Sequence, residues 1–145
     1  MKTFAAAALA ALGSAKRATV GTNAGGWMVL EPWITPSLFY RFLGNKHSDG
    51  VGRDSSSFCD ALGPEEGNRV MRAHWKSWVT EAHIKELKEK EVEIVRLPIG
   101  DWTLEPYGPY VGYMDGAKDE IRWFLDMCHK YGIKVLLDVH AVKGS

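Results

Sequence analysis

The chain has 145 residues, with 18 Lys and Arg against 18 Asp and Glu, so its formal net charge is zero. With 46% hydrophobic and 25% charged residues it suits one globular domain and excludes wholesale disorder. The zero balance leaves no electrostatic case for nucleic acid or an acidic membrane surface.

Met1-Lys2 is a short basic start, Phe4 to Leu12 an apolar, mostly Ala run, and Gly13-Ser14-Ala15 a small-residue stretch. Residues 1–15 therefore read as a secretory signal peptide, set apart from a domain over 16–145. The run is too short to span a bilayer; the alternative is an Ala-rich leader that stays attached. Lys16-Arg17 is a weak dibasic processing signal. The expected location is secreted, extracellular or at the cell wall. Secretion permits a disulfide between Cys59 and Cys128. Cys128 falls on the apolar face of a helical segment, so two separate buried thiols are expected.

Thr19 to Asn23 reads as a short strand ending in Ala24-Gly25-Gly26. Trp27 to Phe39 is apolar around one carboxylate, Glu31, and Pro32 and Pro36 make it a shaped loop. Residues 44–57, with several Gly and three consecutive Ser, read as a surface loop. From Glu65 the pattern is helical: Val70, Met71, His74, Trp75 and Trp78 recur at spacings of three and four. Thr80 offers an N-cap for a helix from Glu81 to Lys90, with Ile84 and Leu87 inward. Val92 to Ile99 is a strand, with Pro98 expected at its end. Gly100 to Tyr113 is an aromatic, Gly- and Pro-rich loop. Asp115 is then expected to cap a helix to about Tyr131, with Ala117, Ile121, Phe124, Leu125 and Cys128 as its apolar stripe. Gly132 ends it. Ile133 to Val139 is almost continuously apolar, as a strand buried on both faces should be. Alternating strands and helices indicate an α/β fold with parallel strands. Three strands cannot close a barrel, so the expected domain is incomplete.

Six Trp is a high count for this length; such rings fill a core or stack on flat ligands such as sugars. Working residues of α/β barrels sit at the C-terminal strand ends and on the loops that follow. That rule selects Glu31, Arg96, Asp101, Trp102 and His140. Arg96 interrupts an apolar strand, so it needs a carboxylate partner. Either it holds a catalytic carboxylate ionised, or it makes a structural ion pair. His140 ends a buried strand and could bond a substrate hydroxyl, bind a metal with Asp138, or simply be satisfied in the core. Two such residues do not make a metal site, and no metal is expected. Glu31 sits among apolar residues, where a carboxylate is costly without partners; sugar hydroxyls or an Arg would supply them.

These residues also carry a resemblance. Gly21 to Phe39, reading Gly-Thr-Asn-Ala-Gly-Gly-Trp-Met-Val-Leu-Glu-Pro-Trp-Ile-Thr-Pro-Ser-Leu-Phe, resembles the opening motif of exo-1,3-β-glucanases in glycoside hydrolase family five. His74-Trp75 leading to Val79-Thr80-Glu81, then Val95 to Gly100, then Leu137 to His140 with Gly144-Ser145, follow in the family's order. The resemblance implies the first three strands of a (β/α)8 barrel. It also implies an enzyme that releases glucose from the non-reducing ends of β-1,3-glucan with retention, without a cofactor. Retaining enzymes use an acid/base and a nucleophile about 5–5.5 Å apart. By the resemblance, Glu31, Arg96 and His140 are substrate-binding residues, Arg96 also orienting the nucleophile, and Trp27 and Trp102 either line the same subsite or only pack beside it. The family's Asn-Glu-Pro acid/base motif and its nucleophile are not among the 145 residues, so no catalytic residue is expected here and the chain alone should be inactive. Two departures stand out. Ala141-Val142-Lys143-Gly144-Ser145 replaces the family's Gly-Ala-Pro-Gly-Ser, which leaves a related β-glucosidase or endoglucanase open; a non-catalytic glucan-binding fragment is a separate alternative. Glu91 stands where the family has a helix-ending Gly, so that turn should differ or be strained.

Overall fold

The computed structural model describes residues 17–44 and 50–143. The expected signal peptide, Lys16, His47 and Gly144-Ser145 lie outside the described residues. Three parallel strands, β1 (Gly21–Asn23), β2 (Ile94–Gly100) and β3 (Lys134–Ala141), form a sheet in chain order. Helices α1 (Pro36–Phe39), α2 (Ser55–Trp78) and α3 (Glu81–Glu89) cross from β1 to β2, and α4 (Ala117–Lys130) crosses from β2 to β3. The α/β class with parallel strands is as the sequence indicates.

Side chains alternate between the faces of a strand. Val95, Leu97 and Ile99 of β2 face the helices and are almost wholly buried. They pack into a core with Trp27, Phe58, Trp75, Ile84, Tyr113 and Phe124. Both cysteines are free and buried, as expected. Desolvation pushes the Cys59 thiol up to about 12 and the Cys128 thiol to about 11.

Several local expectations are corrected. The three serines open α2 rather than ending a loop. Asp54 accepts the Ser57 N–H at 2.8 Å while the Asp54 N–H reaches Ser57 Oγ at 3.1 Å, a reciprocal cap. Gly63, at φ 73°, breaks the helix, and Pro64 restarts it with a pre-set φ. Asp115 does not cap α4. Gly116, at φ 89°, takes that position without a side-chain bond, and the Asp115 carbonyl instead accepts Asn68 Nδ2 at 2.9 Å. Leu125 is 39% exposed, whereas Glu120 is buried and paired with Lys76 at 2.7 Å.

Pro98 lies inside β2, not at its end. Arg96 turns its carbonyl toward β1, bonding Ala24 N–H at 2.9 Å, so Pro98, two residues on, faces the same side. The β1 pairing stops at Asn23, and no ladder bond is lost there. β3 is not buried on both faces. Leu136, Leu137 and Val139 are 53%, 44% and 53% exposed, because β3 has a paired neighbour on one side only among the described residues. The turn before β2 is strained as expected, with Glu91 at φ 59°.

Candidate functional site

Arg96 belongs to the face of β2 opposite the core, in register with Asn23 of β1 and Leu136 of β3. Asp138 and His140 alternate with Leu137 and Val139, so they share that face. The carboxylate that a strand arginine requires is Asp138, whose Oδ2 accepts Arg96 Nη2. Arg96 is thus not left without a carboxylate. Its Nη1 donates to Asn23 Oδ1 at 3.2 Å, and its Nη2 lies 2.9 Å from His140 Nδ1. His140 Nδ1 is also 3.0 Å from Asp138 Oδ2. One continuous polar cluster therefore lies on one face of the sheet, joining Asn23 at the end of β1, Arg96 within β2, and Asp138 and His140 in the C-terminal half of β3. Arg96 and Asp138 are about one-third exposed and His140 nearly half.

Glu31 sits on the loop that follows β1, and α2 fixes that loop. Trp78 Nε1 donates to the Gly25 carbonyl at 3.0 Å, His74 Nε2 bonds the Gly26 carbonyl at 2.8 Å, and Leu30 N–H donates to Ser55 Oγ at 2.9 Å. The Glu31 carbonyl then accepts Ile34 and Thr35 N–H at 2.8 and 2.9 Å, closing a turn. Its half-buried carboxylate makes no hydrogen bond or ion pair among the described residues. A Cβ at Gly25 would stand 2.9 Å from Asn23 Nδ2 and 3.7 Å from Glu31 Oε1. The glycine thus leaves open the gap between Glu31 and the Asn23–Arg96 cluster.

The two tryptophans do not face this site. Trp27 is fully buried, packed on Phe124 at 5.2 Å, with its Nε1 donating to the Trp75 carbonyl at 3.1 Å. Trp102 is 6% exposed, stacked flat on Tyr110 at 4.3 Å, and lies directly over Gly100. Neither ring has a face left for a sugar. Asp101 ties two loops together, accepting Tyr107 OH at 2.7 Å and Lys143 N–H at 3.0 Å. The tyrosine's hydrogen bond holds the Asp101 carboxyl below its ordinary range. Among the described residues no group of three His, Cys, Asp or Glu could hold a metal ion.

Sequence reasoning passed over Asn23 and gave Asp138 a different partner. Asn23 carries a signal only once the β1–β2 register is known. Asp138 was weighed with His140 at the right spacing, but its partnership with Arg96 depends on cross-strand alignment.

The sheet and its crossovers define an α/β fold shared with glycosidases. A rutinosidase from Aspergillus niger superposes with a TM-score of 0.69 at 22% identity, over 87% of this chain and 34% of that one. No protein-family model matches the chain. In sequence, the chain is similar to the N-terminal part of curated glucan 1,3-β-glucosidases. That of Yarrowia lipolytica is 44% identical over 128 residues, and that of Kluyveromyces lactis 39% over 133 residues. Each match takes in 86% of this chain and 29% of the relative, so the chain spans under a third of the relatives' length. The resemblance read from the sequence is thereby borne out.

Proposed function

We propose that these residues form the opening part of a secreted (β/α)8-barrel hydrolase acting on β-1,3-glucan, and that they supply one wall of its terminal-glucose subsite. The observation that carries this is the convergence of Glu31 and Asn23, after and at the end of β1, with Arg96 of β2 and with Asp138 and His140 in the C-terminal half of β3, on one face of three parallel strands. Barrel enzymes work at that end. A sugar hydroxyl needs one donor and one acceptor within reach, and the free Glu31 carboxylate and the His140 ring offer both. In the whole enzyme Arg96 has a guanidinium at hand to orient a nucleophilic carboxylate supplied by a later strand. Domain 16–145 is then an incomplete barrel, and the chain by itself binds without cleaving. Export is proposed from the layout of residues 1–15 alone.

The test is laminaritriose binding to the chain, followed by titration calorimetry or saturation-transfer spectra, beside a laminarin digestion. Expected are weak binding, at least fivefold weaker with Glu31→Gln or His140→Gln, and no glucose release. Equal binding by both variants, or glucose release by the chain alone, would count against the reading. A related β-glucoside preference is favoured by one observation. The atypical Lys143 places its Nζ 5.4 Å over the Tyr107 ring at the mouth. A preference for an aryl glucoside over laminari-oligosaccharides would decide for that reading.

A further inference from the structure

His140 Nδ1 meets two neighbours with opposite demands. Arg96 Nη2, at 2.9 Å, can only donate; Asp138 Oδ2, at 3.0 Å, can only accept while ionised. A neutral ring nitrogen cannot serve both. With a proton, Nδ1 would face Arg96 donor to donor. Without one, it faces Asp138 lone pair to lone pair.

The remaining contacts break the tie. Asp138 already accepts Arg96 Nη2, and its side chain is 29% exposed, so its remaining lone pairs are open to solvent. The second Nη2 hydrogen lies fixed in the guanidinium plane. It has no acceptor other than His140 Nδ1 among the described residues. Placing a proton on Nδ1 would leave that hydrogen unpaired beside a like dipole.

We infer that Arg96, held by Asp138 and Asn23, keeps the His140 proton on Nε2, so that the ring faces the site as a hydrogen-bond donor. Nε2 has no partner among the described residues, and the side chain is 45% exposed. Arg96 is then a positioning residue acting through His140. Its consequence for the ligand rests on the glucose-subsite reading: His140 donates to a sugar oxygen, while Glu31 takes a hydroxyl hydrogen. The two residues thus sort the hydroxyls of the terminal sugar by polarity.

The test is a long-range proton–nitrogen spectrum of the full 145-residue chain, labelled with nitrogen-15, at pH 8, above the ordinary histidine range. His140 signals are assigned by their loss in His140→Gln. Expected are a pyrrole-type Nε2 and a pyridine-type Nδ1. In Arg96→Met the proton should move toward Nδ1, where Asp138 accepts it. The reverse pattern or an averaged one in the native chain would overturn the inference, as would an unchanged tautomer in a folded Arg96→Met. Should that variant not fold, the native spectrum decides alone. No sugar is present in these spectra, so failure of laminaritriose binding would sink the subsite reading while the proton's place is judged separately.

Discussion

Glu91 sits at φ 59°, the one non-glycine residue in the left-handed region among those described. The chain must reverse there between α3 and β2. The left-handed conformation costs a Cβ-bearing residue about 1–2 kcal/mol. Its carboxylate pairs with Arg17 at 2.6 Å, but that pair is exposed and screened by solvent, so it holds the turn only weakly. Glu91→Gly should therefore raise stability modestly in urea unfolding, the relief of the left-handed strain exceeding the extra freedom a glycine gives the unfolded chain. A loss of stability would show that the ion pair outweighs the strain. His74 sets a pH dependence. Burial holds its ring below the ordinary 6.5, against the opposing pull of the Gly26 and Trp27 backbone. The unfolded ring thus takes up a proton first as pH falls. Stability present above about pH 6.5 is lost below it, down to the folded ring's value. The melting temperature should fall between pH 7 and 5, and His74→Gln, which keeps a donor for the Gly26 carbonyl, should flatten that fall.

The longest helix shows what sequence patterns reveal and what they hide. Its second half was legible because Val70, Met71, Trp75 and Trp78 repeat at helical spacing. Its first half was hidden by Ser55-Ser56-Ser57 and Gly63-Pro64, residue types shared by loops and helix ends. The deciding contact is the reciprocal bonding of Asp54 and Ser57, which only backbone geometry reveals. Thr80 was legible as a cap because an apolar repeat follows it at once. At the candidate site, Glu31, Arg96 and His140 stand out in the sequence as polar residues breaking apolar stretches. Between the two readings of Trp27 and Trp102 the sequence could not choose, since a ring near a strand end reads alike whether it faces a groove or the core. The Asp54 cap also holds the loop carrying Glu31, through Ser55 Oγ and Leu30 N–H. Asp54→Ala should cost about 1 kcal/mol. It should also weaken laminaritriose binding more than an equally destabilising change in α4, such as Ile121→Val; equal binding would sever the cap from the site.

At the scale of the whole molecule, the sheet has a covered face, an open face and two edges without a described neighbour. A cleft of about 440 Å³ runs between β1 and α3, lined by Thr22, Ile34, Trp78, Ile84 and Leu87. On the other side, β3 exposes Leu136, Leu137 and Val139 beside an unpaired row of backbone donors and acceptors. Natural edge strands are guarded by charge, proline or a bulge. Between Val135 and Val139 β3 carries only Asp138, which is already turned toward Arg96. A further strand paired to β3 would cover that edge and those leucines. The 145-residue chain alone should instead associate edge to edge, with its apparent mass in sedimentation rising with concentration. Val139→Lys puts a charge on the exposed edge without touching the polar cluster. It should restore a monomer while shifting the melting temperature little, because Val139 gains little from burial. A native chain that stays monomeric at high concentration would overturn the expectation that this edge is unguarded.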